Sequence, residues 1–102
     1  MENRLFNITN CYITCGIESL INEGSFKEKE LHEILLKHMC NIDDNKYEED
    51  LEANLEAIKT GSGRVLSVYE LNGERLYINS YMQHLEGKPI AIETTLMLCN
   101  EY

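Results

Sequence analysis

Basic charge is scarce in this chain. Nine Lys and Arg stand against 18 Asp and Glu, for a net charge of −9. Affinity for nucleic acid rests on Lys and Arg displacing counterions from phosphates, so this balance opposes direct nucleic-acid binding and points to basic protein partners. Long apolar runs are absent: nothing approaches the roughly 20 residues that a membrane-spanning helix needs. The opening MENRLFNITN also lacks the basic-then-apolar order of a signal peptide, so a cytoplasmic protein without membrane association is expected. Proline occurs once, at Pro89, and there is no internal repeat or low-complexity segment, so nothing marks a linker. With 102 residues, 43% of them hydrophobic, the chain fits one compact domain, residues 1–102, around one core.

Cysteine is present without a motif. Cys11 and Cys15 are four apart, which matches neither a CxxC redox pair nor the commonest zinc knuckle, and Cys40 and Cys99 stand alone. In a cytoplasmic chain they are expected as reduced thiols packed as small hydrophobes. A zinc site from Cys11, Cys15, His38 and Cys40 is the alternative, since thiolate and imidazole are ligands that zinc prefers. The reading adopted has no metal and no cofactor.

Periodicity supplies the elements. CYITCG has the β-branched and aromatic content of a short strand. In GIESLINEG, Ile17, Leu20 and Ile21 fall at helical spacing, and Gly24 suits a left-handed stop. Ser25 and Glu28 make a capping-box pattern ahead of a helix near 26–39, in which Leu31, Ile34, Leu35 and His38 share a face. A third helix near 47–60 places Leu51, Leu55 and Ile58 toward the core. After GSG the period becomes two-fold, and Asn72-Gly73 predicts a type I′ hairpin. Its register sets Leu71 opposite Glu74, Glu70 opposite Arg75, Tyr69 opposite Leu76, Val68 opposite Tyr77 and Ser67 opposite Ile78. Strands near 64–71, 74–81 and 90–98 follow, the last returning after a loop at Pro89. The fold class is α+β: a three-stranded antiparallel meander packed against two to three helices, with a short N-terminal strand.

Two surfaces emerge as candidates. Residues 43–56 hold seven carboxylates, Asp43, Asp44, Glu48, Glu49, Asp50, Glu52 and Glu56, against one lysine. Glu48, Glu52 and Glu56 line one flank of the third helix at intervals of about 6 Å along its axis. Carboxylates in a first turn also stabilise the helix through its dipole, so a solvated face is the plain reading and a partner-binding face the sharper one. The second surface is Leu66, Val68 and Tyr77, apolar on the sheet face opposite Val65, Tyr69, Leu76 and Ile78. It calls for a cover: the N-terminal segment or the short first helix on the plain reading, a homodimer or partner surface on the sharper one.

The run EEDLEANLEAIKTGSGRVLSVYELNGERLYI with TTLMLCNEY resembles a family of small, uncharacterised bacterial proteins of plasmid and phage type. These carry an ED-x3-N-x2-A-L-x2-G helix, an R-I-L-S-A-Y strand and a T-T-I-L-L-P-E-E-Y end, and are often labelled restriction-modification subunits. The likeness spans roughly residues 31–102. It falls on Glu49, Asp50, Asn54, Ala57, Gly61, Arg64, Leu66, Ser67, Tyr69, Gly73, Ile78, Thr94, Thr95, Leu96, Leu98, Glu101 and Tyr102, with His38 at the family's histidine. This chain departs from the family's G-D-W-G-D with MCNIDD and from its T-E-x-D-R with NSYMQH. It has no Gly-rich cofactor loop and is far too short for a methyltransferase domain.

Small size, acidity and the resemblance together lead to an acidic protein that inhibits a host defence nuclease, of anti-CRISPR or antirestriction type. Its carboxylates would occupy a basic nucleic-acid-binding groove where phosphates lie. The alternative is a non-catalytic adaptor or regulatory protein of a mobile element, as a homodimer through Leu66, Val68 and Tyr77. No catalytic residue is assigned: the available parts, His38, Cys40, Asp43 and Asp44, do not spell a reaction, and His38 reads as a core-edge histidine bonded to backbone. His32 and His84 have no convergent partner in the sequence.

Overall fold

In the computed structural model, which describes residues 4–44 and 48–102, the elements run β1 (Asn7–Ile8), β2 (Cys11–Ile13), α1 (Cys15–Asn22), α2 (Glu28–Met39), α3 (Glu48–Thr60), β3 (Arg64–Leu71), β4 (Glu74–Leu85) and β5 (Lys88–Leu98). A 3-10 turn at Cys99–Glu101 follows. The class is α+β, and the sheet has five strands with mixed pairing where a three-stranded antiparallel meander and a short N-terminal strand were expected. β3, β4 and β5 form the meander. β1 and β2 then add to the outer edge of β5 in parallel, Asn7 beside Ile90 and Cys11 beside Thr94. Among the described residues no helix is long and apolar enough to cross a membrane.

The hairpin register is the one the turn dictates, from Leu71 opposite Glu74 to Arg64 opposite Tyr81. Asn72 and Gly73 both take positive φ, as a type I′ turn requires. The second connection is as tight: Glu86 and Gly87 also take positive φ, β4 runs on to Leu85, and Pro89 lies within β5 opposite His84. Residues 82–85 are therefore strand where a loop was expected. Ile92 is a bulged residue, since Tyr81 pairs with Glu93 while Met82 pairs with Ala91. Thr9 and Asn10 bond to the carbonyls of Ala91 and Ile92 there, so the break between β1 and β2 follows the bulge.

Helix ends explain the connections. α1 stops in a Schellman motif, with Gly24 in the left-handed region and Ser25 donating to the Leu20 carbonyl. α2 stops the same way through Asn41, with Ile42 donating to Lys37. Its start corrects the expected cap: Lys27, not Ser25, is the N-cap residue, and the Glu30 carboxylate accepts from the Lys27 amide at 3.1 Å.

α1 and α2 lie on one face of the sheet, and α3 runs along its β3 edge, setting Ala57 and Ile58 on that same face. One apolar cluster gathers Ile17, Phe26, Leu31 and Ile34 on Tyr69, Leu76, Ile78 and Leu96. A second gathers Phe6, Met39, Ala57 and Ile58 on Val65, Met82 and Ala91. The α3 orientation differs from expectation. Asn54, Ala57 and Ile58 are its buried positions, while Leu55 is 48% exposed. The leucine spacing was compatible with a core face, but the sheet edge selects Asn54, for a reason that lies in its hydrogen bonds.

Candidate functional site

β3 is the edge strand of the sheet, and its outward backbone groups from the Leu66 amide to the Glu70 amide are each met by a neighbour. Asn54 answers Leu66 twice, its Oδ1 accepting from the amide at 3.1 Å and its Nδ2 donating to the carbonyl at 2.9 Å. Asp43 accepts from the Val68 amide and Asp44 from the Glu70 amide, each at 2.9 Å, while the Asp44 amide donates to the Val68 carbonyl. Ile42 supplies a carbonyl to the Tyr69 hydroxyl at 2.6 Å. Asn41, which ends α2, donates to the Leu51 carbonyl and accepts from Asn54. Side chains thus close an edge that would otherwise pair with another strand.

This placement divides the acidic stretch. Asp43 and Asp44 are spent on the edge of β3. Glu48, Glu49, Asp50, Glu52 and Glu56 are exposed on α3, the first three in its opening turn where the helix dipole favours them.

Neither α1 nor α2 lies on the opposite face of the sheet, and the N-terminal segment does not cover it, because that segment runs along β5. Val68 is buried there, and Leu66 and Tyr77 are half-buried. The cover comes instead from the start of α3 and from Tyr102. Together Asp50, Ala53, Asn54, Leu66 and Val68 with Arg64, Arg75, Tyr77 and Tyr102 line a groove of about 480 Å³. Tyr102 stands edge-on to Tyr77 at 5.1 Å between centroids, with the Arg64 guanidinium 5.5 Å from its own ring centroid. Arg75 donates to Glu70 at 2.9 Å, the cross-strand pair that the hairpin register implied. Tyr102 is held over the sheet because its neighbour Glu101 is anchored: the Glu101 carboxylate accepts from Thr14 Oγ1 at 2.6 Å and from the amides of Gly16 and Leu98. These bonds hold its carboxyl below the usual range.

His38 is placed where nothing from solvent reaches it, at 0% exposure between the two apolar clusters. Its partners are hydroxyls rather than the expected backbone: Nδ1 lies 2.7 Å from Ser67 Oγ and Nε2 2.7 Å from Ser80 Oγ, which is 2.7 Å from Thr94 Oγ1. Phe6 packs edge-on against the ring. Burial without a carboxylate partner pushes the imidazole down to about 3, so the neutral ring is the form present.

The four residues of the zinc alternative are not brought together as a ligand set. Both His38 nitrogens are taken, Cys11 and Cys15 are exposed, and among the described residues no three His, Cys, Asp or Glu converge to hold a metal. Cys99 is exposed as well, so the expected burial fails for three of the four thiols. His84, unpartnered in the sequence, packs its ring on Gly61 and sets Nε2 3.2 Å from the Ile58 carbonyl in the last turn of α3. His32 is exposed on α2.

Sequence reasoning missed Arg64, Arg75 and Tyr102 as parts of one groove, and Asn54 as an edge clamp. Asn54, Arg64 and Tyr102 were already among the positions that carried the resemblance. A one-sided five-stranded α+β sheet with a clamped edge and an open grooved face is the class these features define. Comparison with protein-family models, curated proteins and solved structures finds no match for the chain.

Proposed function

We propose that this chain is a non-catalytic, cytoplasmic protein-binding module that inhibits a host defence nuclease, of anti-CRISPR or antirestriction type, by presenting α3 carboxylates to a basic nucleic-acid groove. The observation that carries the reading is the exposed ridge of Glu48, Glu52 and Glu56 with Glu49 beside it, on a helix fixed to the sheet through Asn54, Ala57 and Ile58. A preorganised row of charge meets a complementary groove with little ordering cost and steers the encounter. The net charge of −9 and the resemblance to plasmid and phage proteins support the same reading. The non-catalytic part is supported by His38, whose two hydroxyl partners would suggest a relay were the ring not sealed in the core.

A second reading, an adaptor or regulatory protein of a mobile element acting as a homodimer, is favoured by the sheet face opposite α1 and α2 with its exposed Tyr12 and Tyr81. Protection of phage or plasmid in a defended host separates the two. The chain with Glu48→Lys, Glu52→Lys and Glu56→Lys is expected to stay folded and lose protection. Full protection by that folded variant refutes the inhibitory ridge, and light scattering of wild type against Tyr81→Glu then tests the dimer.

A further inference from the structure

The groove on the open sheet face does not depend on the acidic ridge for its meaning. It concentrates, in a protein of net charge −9, two of the three arginines of the whole chain. The two differ in state. Arg75 is paired with Glu70, whereas Arg64 has no carboxylate partner among the described residues and faces the π-surface of Tyr102. Between them the floor is apolar, Leu66 and Val68, and the wall opposite α3 is aromatic, Tyr77 and Tyr102. A volume of about 480 Å³ falls within the range of small-molecule sites.

The surroundings narrow the ligand. A long nucleic acid is repelled by the overall charge, since only two guanidinium groups face it here. An extended peptide finds no backbone to pair with, because Asn54, Asp43 and Asp44 already occupy the outward groups of Leu66, Val68 and Glu70. What remains matched is a small molecule with a flat ring for the tyrosines and the apolar floor, and a phosphate for an unpaired guanidinium. We propose that this groove is a binding site for a free nucleotide, its base against Tyr77 and Tyr102 over Leu66 and Val68, and its phosphate on Arg64.

Several features of the fold fit that occupant. Tyr102 rests on the groove through one edge-on contact and a cation–π contact, and is 57% exposed, so its ring can swing to stack on a base without disturbing the core. The Glu101 anchor keeps that ring near the groove throughout. Asn79, only 6% exposed, lies on the same sheet face beside Leu66, and its Oδ1 is the one buried side-chain acceptor without a partner among the described residues.

Titration of the intact protein followed by amide NMR tests the site, with a panel of purine and pyrimidine mononucleotides, cyclic mononucleotides and dinucleotides, and the matching nucleosides. Saturable shifts are expected at Leu66, Val68 and Tyr77 for at least one nucleotide, with the nucleoside weaker by about tenfold or more, the scale of a lost charged contact. Arg64→Gln and Tyr102→Ala, both at exposed positions, are each expected to weaken binding about tenfold while leaving the remaining spectrum in place. The absence of saturable groove shifts with every nucleotide overturns the proposal. So does equal binding by nucleoside and nucleotide, or by wild type and Arg64→Gln. Loss of host protection in the α3 variant leaves these readouts unchanged, so the two proposals fail separately.

Discussion

His38 shows what one side chain can carry. Its ring fills a slot lined by Phe6, Ser67 and Ser80, and each hydroxyl can donate to or accept from whichever nitrogen the tautomer leaves open. The neutral ring is therefore satisfied, and the charged ring is opposed by burial. The folded value near 3 lies below the unfolded value of 6.5, so the stability tied to this residue is complete above about pH 6.5. It is lost as pH falls from there toward the folded value, because the unfolded chain takes up a proton that the folded chain refuses. The slope from this one site approaches about 1.4 kcal/mol per pH unit. Urea midpoints should fall between about pH 7 and pH 5, ahead of the carboxylates, and the fall should be shallower in His38→Gln. A flat wild-type profile over that interval would show that the ring is accessible to protons. Ser80→Ala removes the hydroxyl shared by His38 and Thr94, and should cost about 1–3 kcal/mol in denaturation.

At the scale of elements, α3 and β3 stand or fall together. Turning Leu55 to solvent and Asn54 inward sacrifices some apolar burial, and the return is a closed strand edge. Leu55→Ala is expected to shift stability by less than about 0.5 kcal/mol, while Ile58→Ala should cost about 2–5 kcal/mol as a buried large-to-small change. Asn54→Ala leaves the Leu66 amide and carbonyl without partners, so it should destabilise by about 1–3 kcal/mol and promote self-association through the opened edge, seen by light scattering. Equal effects of Leu55→Ala and Ile58→Ala would mean that the helix is rotated.

The contrast also marks what could be read from sequence. The hairpin was legible to the residue, since Asn72-Gly73 fixes both turn type and register locally. Three helices and the third strand were legible from period and stop signals. The short strand at Cys11–Ile13 was legible in CYITCG, but β1 and the parallel pairing of both strands with β5 were not, because a two-residue strand carries almost no pattern and the partner lies about 80 residues away. Nor was the facing of α3, since its amphipathic spacing leaves the leucine and asparagine stripes nearly equivalent until the edge of β3 is in place. The groove was half legible: Leu66, Val68 and Tyr77 were found as a patch, whereas Arg64 and Arg75 reach it from its two ends and Tyr102 from the end of the chain.

For the whole molecule, charge is the property that most shapes its encounters, and net charge must be separated from its pattern. A basic groove would attract any protein of net charge −9, so a slower association after Glu48→Lys, Glu52→Lys and Glu56→Lys does not by itself locate the contact. A matched variant resolves this. Glu18, Glu23 and Glu33 are exposed on or beside α1 and α2, and Glu18, like Glu48, sits in the first turn of its helix, so reversing these three changes net charge equally at a similar helix cost. If α3 is the contact, the α3 variant should lose association rate by at least about tenfold at low salt, with a flattened salt dependence, whereas the matched variant should lose only a few-fold. Dissociation should diverge as well, since only the α3 charges are removed from water in the complex. Equal losses in the two variants would assign the effect to the long-range field alone and would strip α3 of any special role in binding.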